Sequence, residues 1–494
     1  MQQSARGRRR SPADQIVEQL RAADRFPTGD ARRAAAQRRA ARLAAADPAV
    51  LDHPSLAHVR SRLRQWARFA PYLLSDPDEA RIASASRAVV GEQLSLLRSL
   101  EDEPTTALAG SDVALRDLDS HEPATRRAAD VLAHRATDHR AHRVAPVLAT
   151  LAACHLADDQ ERGIDDWRTR FAIVQGTTPA ALAHLRSATG AARGLAQQWM
   201  QLRSTVVGGE YCDRRVGLEA SPASLAEHAL QASVALGAAV PRLAKGAQLA
   251  AARIRPGADN QVVIEADGRI SATVAHRPTP RGSLMVAHEV GHALHALESR
   301  SPEPPGALVG ETVACWASLV TGTSLAAAGG DGSQALALAL GDTLVEELFV
   351  SGAVSSFEDA VYLLVRNGSG VTVAALDEAW LAVHRELLGS VVEVPAHVGS
   401  GWARLPSLAT DPGHALSYVW ATVLALAIDA RHAGDADGVI ARAIVAGGVD
   451  ADEFTALLGF EGDEWVEAGF GALALQLTRL GQVVGAGVSS RRAC

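Results

Sequence analysis

The stretch "LMVAHEVGHALHALES" (residues 284–299) carries in one pattern both a local structure and a candidate chemistry. It is an apolar run without proline, and two histidines, His288 and His292, stand four residues apart around Glu289. On a helix, residues four apart share a face at a spacing of ~6 Å, so both imidazoles can hold one ion. Glu289 is turned ~100° from His288 and lies beside such an ion instead of on it. A carboxylate there can take a proton from activated water and return it to a leaving group. Gly291 leaves room for a neighbouring helix or a ligand. His295 stands nearly above His288 two turns on, too far to share the ion, and serves as a cleft wall or as packing. The plain alternative is an amphipathic helix with incidental histidines, because a five-residue pattern with two free positions recurs by chance.

The His-Glu-x-x-His spacing is a zinc-hydrolase signature, and such a centre needs a third protein ligand and an open fourth position. Glu298 lies ~9 Å beyond His292 along the same helix and on another face. Glu303 sits in "SPEPPG" (301–306), where prolines end the helix. Glu311 is the better candidate. It opens "GETVACWASLV", a fresh helix able to fold back on the first and present a carboxylate from its first turn. Its alternative is a first-turn glutamate stabilised by the helix dipole. The expected set is one Zn2+ held by His288, His292 and Glu311, with Glu289 as base; two imidazoles and a carboxylate also suit iron.

The chain has 494 residues, 48% of them hydrophobic and 21% charged, which is a globular composition. A net charge of −8 disfavours nucleic acid as a partner. The basic run "ARRAAAQRRAARLAAA" (31–46) reads as a helix with a solvated arginine face. No apolar stretch reaches the ~18 residues of a membrane helix without interruption, and "MQQSARGRRRSPADQ" lacks the apolar core of a secretion signal. Four scattered cysteines (Cys154, Cys212, Cys315, Cys494) argue against a disulfide framework and a thiolate zinc site. The expected compartment is the cytoplasm, with no membrane partner and the oligomeric state open.

Nearly all of the chain carries helical periodicity. Ser11 offers an N-cap with Pro12 at the first helical position, and further helical runs fall near 56–72, 78–101, 122–158, 178–205 and 222–253. The one β segment is "NQVVIEADGRISATVAHRP" (260–278), two β-branched runs around an Asp267-Gly268 turn. The expected fold is all-α with a small β-hairpin or sheet next to the histidine helix. Its parts are a tail at 1–12, a helical region at 13–205, a catalytic region at 206–484 and a tail at 485–494. His53, His58, His134, His139 and His142 lack a matching carboxylate geometry and read as surface residues.

These features together resemble oligoendopeptidase F and its relatives, in the wider group that includes thimet oligopeptidase. "LDSHEPATRRAADVL" (118–132) and "ERGIDDW" (161–167) look like that family's N-terminal helical segment. The order of hairpin then helix in "ISATVAHRPTPRGSLMVAHEVGHALH" (270–295) matches its strand before the zinc helix. "SSFEDAVYLLV" (355–365) and "VTVAALDEAWLAVHRELLG" (371–389) look like its later helices, and "WARLPSLATDPGHALSYVWATVLALAI" (402–428) like its aromatic-rich segment opposite the metal. The resemblance spans about residues 115–480. It implies a helical, deep-channelled metallopeptidase for short unstructured peptides, with zinc on His288, His292 and Glu311.

The chain departs from the family in two ways. The interval between His292 and Glu311 is short, and the late segment lacks most of the histidine and tyrosines that grip substrate there. Ser407 aligns with the histidine, His414 and Leu416 with tyrosine positions, and Tyr418 is retained. The resemblance therefore leaves Tyr418 or His414 to steady the oxyanion, while an extended peptide pairs with the outer edge of the 262–275 hairpin. The competing expectation is a protein that binds or modifies peptides on the same scaffold with little or no proteolysis.

Overall fold

The computed structural model describes residues 11–26, 30–102, 117–218, 220, 222–265, 269–299, 306–330, 332–368, 370–435, 438–447 and 449–493. Among them the chain is almost wholly helical, with one small sheet, as the periodicity predicts. The first helix, Pro12–Asp24, begins with Ser11 capping Asp14 in a reciprocal capping box and with Pro12 at its first position. Ala31–Ala46 is a helix that buries Ala36, Ala40, Ala41 and Ala44. Its arginines point outward to partners, Arg38 to Asp76 and Arg42 to the carbonyl of Leu74. The long runs follow at Asp76–Asp102 and Pro123–Arg162. The run expected at 222–253 divides into Leu225–Ala239 and Ala244–Ala251, because Pro241 cannot continue the ladder.

The sheet has three strands in the order β1-β3-β2. Here β1 is Ile254–Pro256, β2 is Gln261–Ile264 and β3 is Ile270–Val274. β2 and β3 form the expected antiparallel hairpin, Ile264 opposite Ile270, while β1 adds to β3 in parallel. Asp267-Gly268 lies outside the described residues. Periodicity could not reveal β1, since three residues are too few to show alternation. β3 is central and buries Ile270, Ala272 and Val274, so β2 keeps a free outer edge on which Val263 and Ile264 are exposed.

One large hydrophobic core runs from Leu97 to Val484, and a smaller one joins Ala13, Ile16, Ala40, Leu56 and Leu63. At the centre of the large core the histidine helix (Pro280–Glu298) packs on the glutamate helix (Ala307–Ala327), which in turn packs on the tyrosine helix (His414–Arg431). Thr279 caps the histidine helix, accepting from the Gly282 amide at 3.1 Å, with Pro280 next. The Ser318 hydroxyl donates to the Leu284 carbonyl at 2.9 Å and stitches the first two helices together. A Cβ built on Gly291 would stand 2.8 Å from both the Ala314 Cα and the Ala317 Cβ. The helices are this close only because residue 291 has no side chain.

The helical run Ser333–Arg366 is long and apolar enough to cross a membrane by length and composition. The sequence reading expects no uninterrupted apolar stretch of ~18 residues, and in this run Glu346 and Glu347 stand among the apolar residues. Half of its most apolar window is buried inside the fold, and a π-helical turn at Glu346–Val350 breaks its regular ladder. His134 corrects another expectation. It is buried, not at the surface, because the turn Ala396–Arg404 packs over the helix Pro123–Arg162 that carries it.

Two glycine substitutions test the packing argument by chemical denaturation. Gly291→Val should destabilise the fold by about 1–3 kcal/mol through overpacking. Gly471→Ala, where a Cβ meets nothing within 4 Å, should stabilise by up to about 1 kcal/mol through helix propensity. Equal effects at the two positions would remove the case for close approach at Gly291.

Candidate metal centre and its cavity

His288 and His292 leave one face of the histidine helix, and Glu311 reaches them from the glutamate helix. The His288 Nε2 and His292 Nε2 atoms are 3.2 Å apart. His288 Nε2 lies 3.3 Å from Glu311 Oε2, and His292 Nε2 lies 3.7 Å from Glu311 Oε1. Zinc bonds of 2.0–2.1 Å at tetrahedral angles separate their donors by roughly 3.3 Å. The three spacings straddle that value, so these side chains fit one small cation. Glu311 Oε2 is buried without a well-formed hydrogen bond, which a bare carboxylate tolerates poorly. Donor type and spacing both suit such a cation.

The three groups sit in strong mutual fields. Burial by itself would lower His288, but the adjoining Glu311 carboxylate outweighs it and holds the imidazole protonated well above its ordinary range. Burial likewise opposes ionisation of Glu311, yet the two imidazoles keep it charged well below the usual carboxylate range. Burial and the His288 charge push His292 down to about 4. Glu289 is pushed up to about 7 by burial, with His288 pulling against the shift. A carboxyl poised there can both take and give a proton near neutrality.

A cavity of about 1200 Å³ opens over the group, lined by His288, Glu289, His292, Glu311, His414 and Tyr418 among others. The Tyr418 ring lies 6.3 Å from that of His288 and 5.3 Å from that of His414. Burial drives the Tyr418 phenol upward, so its hydroxyl remains a proton donor. Asp411 raises His414 despite partial burial. His295 also lines the cavity; it is 1% exposed, and burial lowers it to about 4. The outer edge strand β2 forms another wall. Ser407 and Leu416 do not line the cavity, and Leu416 is packed in the core. Glu303 lies outside the described residues.

Sequence reading missed the wall opposite β2. Arg281, Thr343, Glu346, Glu347 and Ser351 all face the cavity. Thr422 donates to Glu347 Oε2 at 2.9 Å, and burial pushes Glu347 up to about 7. The available signal was the adjacent pair Glu346-Glu347 inside the apolar run "LVEELFV" (344–350), where one of two neighbouring carboxylates must face inward. The π-helical turn rotates them, and such turns are common at functional sites.

The Cys315 thiol lies within 4.8 Å of the His288 and Glu311 donors, and a second group, Asp130, His134 and His397, also brings ligand-type atoms within 4.8 Å of one another. Its bonds are already made. His397 Nε2 and Asp130 Oδ2 are 2.6 Å apart, closer than two donors on one ion, and His134 Nδ1 is 2.8 Å from the Asp130 carbonyl. Ser400 to Asp138 and Arg404 to Thr137 continue the same seam, so it reads as a structural tie.

No known family's sequence pattern matches the chain, and no curated protein matches it in sequence. Solved structures do match in shape. An oligoendopeptidase-F from Enterococcus faecium superposes with a TM-score of 0.67 at 14% identity, over 96% of this chain and 91% of its own. A provisionally assigned peptidase from Chlamydophila abortus gives 0.73 at 14% identity, over 95% and 88%. PZ peptidase A with an inhibitor gives 0.64 at 13% identity, over 95% and 97%. The chain has an oligoendopeptidase F-like fold.

Because Glu311 raises His288 well above the ordinary imidazole range, a cation binding there would displace a proton. Zinc affinity should therefore rise with pH from 6 through 8, with about one proton released per ion at neutrality. Calorimetric titration in buffers of different ionisation enthalpy reads the proton count; zero release would contradict the His288–Glu311 coupling.

Proposed function

We propose that the protein is a zinc-dependent oligopeptidase that hydrolyses short, unstructured peptides. The observation that carries this reading is the spacing of the His288, His292 and Glu311 donor atoms, 3.2–3.7 Å from one another, in a cavity that also presents Glu289. The overall likeness to peptidase structures supports it. His288, His292 and Glu311 would hold the ion, which when bound polarises a peptide carbonyl and acidifies water.

The remaining roles belong to the chain. An extended peptide pairs its backbone with the free edge of β2, which lines the cavity. Glu289, poised near neutrality, takes the proton of the attacking water at its carboxylate and delivers it to the departing amine. The Tyr418 hydroxyl, kept protonated by burial, donates to the oxygen on which negative charge grows, with His414 beside it as a second donor. The histidine helix floors the cavity from Arg281 to Ala296, about fifteen residues or ~22 Å at 1.5 Å each. At ~3.3 Å per extended residue that length takes six or seven residues, which favours short substrates. The cytoplasmic location belongs to the same proposal and rests on the scattered cysteines.

One observation favours a second reading, in which the scaffold binds or modifies a peptide without cutting it. Ser407 and Leu416, aligned with substrate-gripping side chains of the family, are absent from the cavity wall. A quenched-peptide library combined with elemental analysis separates the two: bound zinc with no cleavage product selects the binder.

Glu289→Gln should retain its zinc by elemental analysis while cleavage falls about 10²- to 10⁴-fold; unimpaired cleavage would refute the base assignment. Tyr418→Phe should lower kcat about 100- to 1000-fold with little change in KM. A kcat within threefold of the parent would leave His414 as the donor.

A further inference from the structure

We infer that the cavity selects cationic peptides, those with a lysine or arginine side chain within about three residues of the scissile bond; this rests on the oligopeptidase reading for its site. Five glutamates line the cavity (Glu265, Glu289, Glu311, Glu346 and Glu347) against a single arginine, Arg281. Arg281 is spent on Glu346, with which it forms an ion pair. Glu311 belongs with the histidines of the candidate metal centre, Glu346 is paired with Arg281 and Glu289 is reserved for the proton, so the two carboxylates left for substrate are Glu265 and Glu347.

Both are placed to meet a side chain, and neither has a direct ion pair with a lysine or arginine among the described residues, although the Arg281 guanidinium paired with Glu346 also lies in the field of Glu347. Glu265 is exposed at the end of edge strand β2 and accepts from the Ser271 hydroxyl at 3.3 Å. Glu347 faces the cavity from the π-helical turn on the opposite wall. Its hydrogen-bond partners are neutral, the Thr422 hydroxyl and the Cys315 thiol, and the nearby His288 imidazole is already shared with Glu311. A peptide laid along β2 passes between these two groups. Its ammonium or guanidinium would satisfy Glu347 in a half-buried setting where a charge-assisted bond is strong. An acidic side chain there would add repulsion to an already negative wall. That the cavity awaits polar ligand atoms is supported independently by His295. This wall residue is 1% exposed, and neither ring nitrogen has a hydrogen-bond partner.

The test measures binding without turnover. Zinc-loaded Glu289→Gln protein is titrated against fluorescent heptapeptides that differ only by lysine, alanine or glutamate next to the scissile position. The lysine peptide should bind at least about tenfold tighter than the glutamate peptide, and added salt should narrow the gap. Glu347→Gln should collapse the ratio towards one. Glu265→Lys, at an exposed position that does not threaten folding, should reduce it as well. Equal affinities for the three peptides, a ratio that survives both substitutions, or failure of all three peptides to bind would each overturn the inference. Absence of hydrolysis by the unsubstituted protein would instead overturn the oligopeptidase reading and leave a measured charge preference standing.

Discussion

The structure turns on a contact between two helix backbones. Gly291 lets the glutamate helix approach until its Ala314 backbone stands where a side chain would otherwise be. The Ser318 hydroxyl then locks the register by bonding to the Leu284 carbonyl. With depth and register set, Glu311 falls opposite His288 and His292. The result is a buried carboxylate between two imidazoles, which raises His288 and is itself held ionised by them. Such a triad is costly to bury for stability alone.

Around that contact, chemically identical side chains take different roles because their surroundings differ. Glu311 is held ionised by its histidines, whereas burial raises Glu289 and Glu347 to about 7. Glu358, buried beneath the loop that leads into the tyrosine helix, is raised to about 8, and its Oε1 accepts from the Gly413 amide at 3.0 Å. One is charged for good, two are poised near neutrality, and one is a protonated structural acid. Sites that move protons need groups separated in this way.

The shared fold persists at 13–14% identity, so the helical frame tolerates extensive substitution. Ser407 and Leu416 do not line the cavity, while Tyr418 and His414 remain beside the histidines. The edge of β2 and the carboxylates of the π-helical turn line the same cavity.

The sequence by itself determined the helical class and the hairpin ahead of the histidine helix, and it singled out His288, His292 and Glu311, which the fold brings together. Each of these is written in local periodicity or in a short spacing across one turn. Glu311 was legible because only a helix restarting after "SPEPPG" could return a carboxylate to the pair. The tertiary structure alone decided the opposite wall and the burial of His134. Glu347 lies 55 residues beyond His292 in the chain, and neither its inward rotation nor the covering of His134 by the turn Ala396–Arg404 leaves a periodic trace. Side chains that meet through packing between distant helices obey the shape of the core, and no local pattern in the chain encodes that shape.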